Sequence, residues 1–239
     1  MTVDDLRDLH VLVTGASGAL GGTVVAALMA SGARVTAVAR RRTALDALRA
    51  DLRHHERLNV AEGDVSAGPE TEALFSAVER GTAPLDGVVH CAGTYGGGTL
   101  AEVTDADVAR LVAANFTAAV NVLRASLRRM VPRAAGRVVL TGSLASEGPS
   151  PGAAVYGATK AALAHLCRSA AAEAGASGVT VNALLPGMMD TPDNRAAMPG
   201  ADPARWVATE SVAKVAAFLL GPSGAGVTGT LVHLPDRMN

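Results

Sequence analysis

The sequence predicts an α/β fold in which about seven strands form one doubly wound parallel sheet with helices on both faces. Short apolar runs rich in Val and Leu alternate with Ala-rich amphipathic segments from residue 10 to residue 234. The hydrophobic fraction is 49% and the aromatic fraction 3%, which indicates a core of Ala, Val and Leu. The chain of 239 residues has the length of one such domain, so we assign residues 1–239 to a single domain.

The predicted elements alternate along the chain. Strands are expected at 10–14, 33–38, 58–61, 85–93 with its turn, 137–141, 179–185 and 229–234. Helices are expected from the first glycine-rich turn to about residue 31, at 45–52, 71–80, 102–130 and 211–220, and on the segment that carries Tyr156 and Lys160. The stretch 187–208 holds three prolines and is expected to be an irregular loop.

Charge and composition exclude several classes of protein. A net charge of −1 gives no electrostatic reason to expect binding to nucleic acid or to an anionic membrane. The N-terminus is acidic without an apolar run, and no apolar run approaches the ~20 residues of a membrane span, so we expect a cytoplasmic protein. Cys91 and Cys167 show neither CxxC spacing nor a Cys/His cluster, which predicts buried free thiols and no metal site.

A glycine-rich turn follows the first strand directly and opens the first helix. Such a turn lets backbone N–H groups approach phosphates at a helix N-terminus. Gly15, Gly18 and Gly21 are each three residues apart, which differs from the spacing in GxGxxG. The prediction of a phosphate site therefore depends on the position of the turn, directly after the first strand. The candidate phosphate-binding residues are Gly15, Ser17, Gly18, Ala19, Leu20 and Gly21.

Three arginines stand at the end of the second strand. In dinucleotide sites an acidic residue here binds the adenosine ribose, whereas an arginine accommodates a 2′-phosphate. The chain has Arg40, Arg41 and Arg42 and no acidic residue, which favours NADP(H) over NAD(H), with Arg40 the first candidate and Arg41 the second. The alternative is that the three form a solvated basic cluster before the next helix.

Ser143, Tyr156 and Lys160 form the candidate catalytic group. Ser143 follows a predicted buried strand, and Tyr156 and Lys160 lie one helical turn apart on one face. A cation close to a phenol lowers its pKa from the ordinary ~10 and suits it to acid/base work on a carbonyl or hydroxyl oxygen. Asn115 lies inside a long apolar helix and needs a partner, either the backbone or a water beside this group.

These motifs together resemble the short-chain dehydrogenase/reductase family over nearly the whole chain. Residues 14–21, TGASGALG, match the family's TGxxxGxG, and residues 156–160, YGATK, match YxxxK, with Ser143 thirteen residues upstream. Asn115 matches the fourth member of the family's catalytic tetrad. The resemblance further implies cofactor contacts from Asp64, Val65, Ala92, Gly93, Tyr156, Lys160, Pro186, Gly187 and Thr191.

Two features depart from the usual family pattern. The family's NNAG after the fourth strand is replaced by His90-Cys91-Ala92-Gly93, so His90 either substitutes for the asparagine tether or the tether is absent. Residues 190–202 and 165–169 are similar to the dihydropteridine-reductase-like branch, which favours NADH and often lacks the serine. The Arg40 and Ser143 of this chain argue against that branch, but it stays open.

The resemblance implies hydride transfer between a nicotinamide and a carbonyl or secondary alcohol of a small organic substrate. Tyr156 would exchange the proton, Ser143 would polarise the oxygen, Lys160 would bind the nicotinamide ribose and lower the Tyr156 pKa, and Asn115 would hold a relay water. Quinonoid dihydropteridine reduction and a non-catalytic NADP(H) sensor are the alternatives. The resemblance also implies a homo-oligomer, a tetramer or a dimer. Candidate substrate contacts, partly in the loop 187–208, are Tyr95, Met188, Met189 and Trp206.

Overall fold

The computed structural model describes residues 5–52 and 55–236 and confirms the parallel sheet covered by helices on both faces. The strands are β1 (His10–Thr14), β2 (Arg34–Ala39), β3 (Leu58–Glu62), β4 (Gly87–His90), β5 (Arg137–Thr141), β6 (Thr180–Pro186), β7 (Met189–Asp190), β8 (Val207–Ala208) and β9 (Leu231–Leu234). The helices are α1 (Ala19–Ala30), α2 (Arg42–Asp51), α3 (Gly68–Gly81), α4 (Asp105–Leu111), α5 (Ala118–Met130), α6 (Ala154–Ala174), α7 (Pro192–Ala197) and α8 (Thr209–Leu220).

The main sheet has seven strands in the order β3-β2-β1-β4-β5-β6-β9, and the pairs within it are parallel. The chain winds outward from β1 to β3 and then returns to place β4 on the other side of β1. At such a reversal the connections leave the two strands in opposite directions, and a crevice opens at their carboxyl ends. The fold therefore places a cleft beyond β1 and β4.

Two apolar layers hold the helices to the sheet. Val11 and Val13 of β1 point into one layer with α1 and α8, while Leu12 between them points into the other with α3, α5 and α6. Successive side chains of a strand point to opposite faces of the sheet, which explains this alternation. Because both faces are buried, the strand sequence is apolar at consecutive positions. Phe75 of α3 is fully buried in the second layer, and small Ala and Val side chains supply most of the remaining volume.

The helix expected at 102–130 differs from the prediction in two ways. It begins at Asp105 because the Thr104 hydroxyl accepts a hydrogen bond from the Asp107 amide, at 3.2 Å, and caps it. Between α4 and α5 the residues Val112–Thr117 form a π-helical turn that contains Asn115. A π turn widens the helix locally and is frequent at functional sites.

The stretch 187–208 is more ordered than expected. The Thr191 hydroxyl accepts from the Asn194 amide at 3.2 Å and caps the short helix α7. β7 and β8 pair in parallel through Met189 with Val207 and Asp190 with Ala208. The loop therefore folds back on itself and closes with a small two-stranded sheet.

One helical segment corrects an expectation about membranes. Asp105–Arg133 is long and apolar enough to cross a membrane by length and composition, with mean hydropathy 1.2 in its best window. Core helices of globular proteins pass the same test. In this fold α5 packs between α3 and α6, and its Arg129 is paired with Glu72 and Glu79 of α3.

Candidate active site

A cleft of about 450 Å³ opens at the carboxyl ends of β1, β2 and β4. Eight of the predicted cofactor contacts line it, and they are Gly15, Ser17, Gly18, Arg40, Asp64, Val65, Ala92 and Gly93. Its volume lies in the range of sites that take small molecules and cofactors. The other predicted cofactor contacts are not among its lining, and they are Ala19, Leu20, Gly21, Arg41, Tyr156, Lys160, Pro186, Gly187 and Thr191.

The glycine turn is shaped by close backbone contact. Gly15 has φ +67°, and a Cβ there would lie 2.6 Å from the Ala92 nitrogen, so a larger residue would separate β1 from the turn after β4. A Cβ on Gly21 would overlap the Gly15 carbonyl. In the part of the chain that the structure describes, no side chain caps α1 at Gly18, and its first turn carries no acidic residue. The N-terminus of α1 therefore begins at the edge of the cleft, where Ser17 and Gly18 line it, and an uncapped helix start of this kind suits phosphate oxygens.

The arginines at the other end of the cleft have different surroundings. Arg40 lines the cleft, whereas Arg42 binds Asp46 at 2.9 Å on the exposed face of α2. Asp64 accepts from the Ser66 amide at 2.8 Å, and this bond, aided by the Arg40 charge, holds the pKa of its carboxyl below the ordinary value. Arg41 is exposed at the start of α2. Arg40 is thus the arginine placed to meet a cofactor.

His90 forms a tether between β4 and β1. Its Nδ1 lies 2.8 Å from the Thr14 hydroxyl, which also accepts from the Ala92 amide at 3.5 Å. Burial, with the nearby Lys160 charge, lowers the pKa of His90 to about 3, so the imidazole is neutral. A histidine therefore replaces the asparagine in tying the turn after β4 to the sheet, and its Nε2 has no hydrogen-bond partner among the described residues.

Ser143 and Tyr156 meet beyond the end of β5. The Ser143 side chain lies beside the Tyr156 phenol, and its oxygen accepts from the Ala145 amide at 3.2 Å. Burial raises the pKa of Tyr156 above its ordinary value, the Ser143 hydroxyl opposes this, and the neighbouring Tyr95 adds to it. The expectation that Lys160 lowers the Tyr156 pKa is not met, because desolvation is the dominant influence on the phenol.

Lys160 is hydrogen-bonded to the backbone at the end of β5. Its Nζ donates to the Thr141 carbonyl at 3.0 Å and lies 5.8 Å from the centre of the Tyr156 ring. The side chain is 5% exposed, and burial lowers the pKa of the ammonium from 10.5 to about 8. A Cβ on Gly93 would lie 3.5 Å from this Nζ, so the lysine sits directly behind the end of the cleft.

Asn115 binds the backbone rather than presenting a free amide. Its Oδ1 accepts from the Thr94 amide at 2.8 Å, and its Nδ2 donates to the Thr94 carbonyl at 2.9 Å and to the Thr159 hydroxyl at 3.2 Å. Both amide donors are therefore engaged. Of the two partners considered from the sequence, the structure favours the backbone, and the side chain fixes the turn after β4 against α6.

The predicted substrate contacts separate into two pairs. Tyr95 is 67% exposed beside Tyr156, and Met188 is 37% exposed at the start of the loop 187–208. Met189 packs against the apolar layer formed by α1 and α8, and Trp206 is buried. The second pair stabilises the loop, so Tyr95 and Met188 are the two that present an open surface.

The segment Pro186–Thr191 is held from the C-terminal side. Gly187 donates its amide to the Leu234 carbonyl at 2.9 Å, and the Met188 amide donates to Asp236 Oδ1 at 2.8 Å. The Thr191 hydroxyl is used in capping α7. The role of Asp236 was not predicted from the sequence, because no motif surrounds this residue. Arg110 was missed as well, although it lines the cleft and donates to the Tyr95 carbonyl at 3.5 Å.

Both cysteines have the character expected from the sequence. Cys167 is buried in α6, and Cys91 is largely buried at the end of β4, where its sulfur lies 3.7 Å from the Thr141 hydroxyl. Burial raises the pKa of Cys91 to about 11 and that of Cys167 to about 12. Both are therefore thiols at neutral pH and weak nucleophiles.

Comparisons with known proteins identify the family. Residues 9–201 match the family model for short chain dehydrogenases. The chain is 32% identical to gluconate 5-dehydrogenase of Gluconobacter oxydans, over 78% of this chain and 73% of that protein. It is 27% identical to the 3-oxoacyl-(acyl-carrier-protein) reductase FabG of Escherichia coli, over 95% and 96% of the two chains.

A solved structure has the same fold as this chain. A short-chain type dehydrogenase/reductase from Mycobacterium ulcerans superposes with a TM-score of 0.90 at 30% identity, covering 97% of this chain and 90% of that one. The family model and the structural superposition each cover most of the chain. The chain therefore belongs to the short-chain dehydrogenase/reductase family, whose members are oxidoreductases acting on CH–OH and C=O groups.

Proposed function

We propose that the protein is an NADP(H)-dependent oxidoreductase that interconverts a carbonyl and a secondary alcohol of a small organic substrate. The observation that carries the proposal is the Ser143–Tyr156 pair, two neighbouring hydroxyls close to Lys160, which lies behind Gly93 at one end of the cleft. Bound there, the nicotinamide supplies or accepts the hydride. The glycine turn and the uncapped N-terminus of α1 fit its phosphates, and Arg40 lies at the opposite end.

Tyr156 is the proton donor in the direction of carbonyl reduction. Its pKa lies above the ordinary value, so the phenol is protonated at neutral pH and can hydrogen-bond the carbonyl oxygen of a substrate. The Ser143 hydroxyl donates a second hydrogen bond to the same oxygen. As negative charge develops on that oxygen, these two donors stabilise it, and the Tyr156 proton moves to it.

Lys160 and Asn115 support this pair in different ways. The Lys160 ammonium lies behind Gly93 with one donor on the Thr141 carbonyl, which leaves two donors for the ribose hydroxyls of a bound nucleotide. Protonated below pH of about 8, it also supplies the nearest positive charge to the phenol. Asn115 positions Thr94 and the turn that carries Tyr95, so we assign it a positioning role.

Preference for NADP(H) over NAD(H) rests on Arg40. The side chain lines the cleft, and the strand end that carries a ribose-binding carboxylate in NAD sites carries arginines instead. Asp64 faces this end of the cleft, but its carboxyl is engaged by the Ser66 amide. A guanidinium in this position favours a 2′-phosphate over a bare hydroxyl.

The names of the relatives support the reaction class. One is called a 3-oxoacyl reductase and another a gluconate 5-dehydrogenase, and each name describes a carbonyl–alcohol interconversion. By the same resemblance we propose a homo-oligomer. The substrate itself is a separate question, because it depends on the loops at 94–99, 144–155 and 187–208.

The experiment is an initial-rate assay of NADPH oxidation, with NADH in parallel, across ketones, diketones, 3-oxoacyl thioesters, quinones and quinonoid dihydropterin. Turnover of one carbonyl class with NADPH supports the proposal. Turnover of dihydropterin with NADH would instead favour the dihydropteridine-reductase-like activity. NADPH binding without turnover of any carbonyl would favour a non-catalytic sensor and contradict the proposal.

A further inference from the structure

Both tyrosines of the chain lie at the candidate active site and contact each other. The chain has two tyrosines among 239 residues, Tyr95 and Tyr156. Their ring centroids are 5.1 Å apart with planes inclined by 66°, an edge-to-face pair. Tyr95 nevertheless remains 67% exposed. Most of its ring surface is therefore free for a further partner next to the proposed proton donor.

The backbone that carries Tyr95 is fixed on both sides. Asn115 binds the amide and the carbonyl of the preceding residue, Thr94, and Arg110 donates to the Tyr95 carbonyl at 3.5 Å. Further along the loop, the Gly98 amide donates to the Gly152 carbonyl at 2.7 Å, which joins this loop to the one after Ser143. An exposed aromatic side chain on a backbone held in this way is presented at a defined place.

Tyr95 also supplies the one large apolar side chain of its loop. Residues 94–99 read TYGGGT, so the three residues that follow Tyr95 contribute no side chains of their own. A carbonyl group whose oxygen accepts from Tyr156 and Ser143 lies beside Tyr156, and the exposed Tyr95 ring contacts Tyr156 edge to face.

We propose that Tyr95 determines substrate specificity by packing against a flat aromatic or conjugated ring attached to the substrate carbonyl. The inference rests on the function proposed above and names its substrate class as aryl ketones and related conjugated carbonyl compounds. Aromatic rings attract each other in stacked or edge-to-face arrangements beyond the effect of buried area. A saturated ring of the same size buries similar area without that contribution.

The test compares two ketones that differ only in the ring, acetophenone and cyclohexyl methyl ketone, with NADPH as the reductant. The quantity measured is the ratio of their kcat/KM values, and comparing this ratio among variants removes the intrinsic reactivity of the two ketones. We expect Tyr95→Phe to keep the wild-type ratio and Tyr95→Leu to lower it about five- to tenfold. An unchanged ratio in Tyr95→Leu would overturn the inference.

Two further measurements separate the inference from the proposed function. Leu100→Ala removes another exposed apolar side chain, 70% exposed, and should leave the ratio unchanged. If the wild type reduces neither ketone, the carbonyl panel described above decides whether the proposed function holds, and the subsite is tested by binding. A larger rise in melting temperature with 1-phenylethanol than with 1-cyclohexylethanol, measured with NADP⁺ present and lost in Tyr95→Leu, supports the subsite. Equal rises in the wild type overturn it.

Discussion

The two ends of the cleft hold their charged and polar groups in opposite surroundings. At the end near β5, Lys160 is 5% exposed and Asn115 and His90 are completely buried. At the end near β2, Arg40 lines the cleft, and both it and the neighbouring Arg41 at the start of α2 are exposed to solvent. Burial shifts protonation at the first end, where it lowers the pKa of Lys160 to about 8 and raises that of Tyr156. The exposed arginines interact through charge that salt screens.

This difference separates two tasks within one cleft. Groups that transfer protons, or stabilise a proton transfer, need a pKa suited to that task. Burial at the β5 end shifts their pKa values away from the ordinary ones. Groups that distinguish one cofactor from another need only a charge in the right place, and exposure keeps its protonation state constant. Substitutions at the buried end should therefore change chemistry and stability, whereas those at the exposed end should change cofactor preference.

The largest effect is expected for Tyr156→Phe at the buried end. Removing the phenol oxygen removes the proposed proton donor, so kcat should fall by about 10²- to 10⁴-fold. The ring and its contact with Tyr95 remain, so NADPH binding, followed by fluorescence titration, should change little. Turnover at the wild-type rate would show that another group donates the proton.

A pH-dependent stability effect is expected from Lys160. Its pKa is about 8 in the folded protein against an ordinary value of 10.5, so between these pH values the unfolded chain binds more protons than the folded protein. The cost of burying the ammonium is therefore fully present below pH 8 and is relieved as the pH rises toward 10.5. We expect the free energy of unfolding of the wild type to gain on the order of 3 kcal/mol over this window relative to Lys160→Met.

Urea unfolding at pH 7.5 and pH 10 measures this difference. Lys214 is the matched control because it is the other lysine of the chain and is exposed on α8. Lys214→Met should keep the wild-type pH dependence. If Lys160→Met and the wild type respond equally to pH, the lysine does not lose its proton in the folded protein over this range.

A smaller effect is expected for Arg40→Ser at the exposed end. Loss of the guanidinium should lower the ratio of kcat/KM for NADPH to that for NADH by about 10- to 100-fold, the range of a charge-assisted hydrogen bond. The wild-type preference should also weaken as salt is added. Arg42→Ser is the control, since Arg42 is paired with Asp46 and should leave the ratio unchanged. A preference for NADH in the wild type would contradict the assignment.

The smallest effect is expected for Asp236→Ala, which removes the acceptor for the Met188 amide. One hydrogen bond of this kind contributes about 1 kcal/mol, so the KM for NADPH should rise about fivefold with little change in kcat. Asp236→Asn keeps an oxygen in the same place and should restore most of the affinity. Equal KM values for the alanine variant and the wild type would show that the C-terminal segment does not position this loop.

The sequence alone was sufficient to predict those features that depend on local residue patterns. Apolar runs predicted the strands, and the spacing of Tyr156 and Lys160 predicted their common helix face, because both follow from backbone period. The predicted direction of the Tyr156 pKa was wrong, since it depends on how much water the folded protein removes from the phenol. The π turn at Asn115 and the Asp236 contact were also missed, because each depends on a partner distant in the chain, Thr94 and Met188 respectively.

The most direct test is the reduction of acetophenone by the wild type with NADPH that carries deuterium at C4 of the nicotinamide. Mass spectrometry of the product alcohol locates the label. The two hydrogens at C4 are labelled one at a time, and we expect only one of the two labels to reach the carbinol carbon. We expect Tyr156→Phe to form little product. Product without deuterium from either position, or no alcohol from any carbonyl class, would contradict hydride transfer at this site.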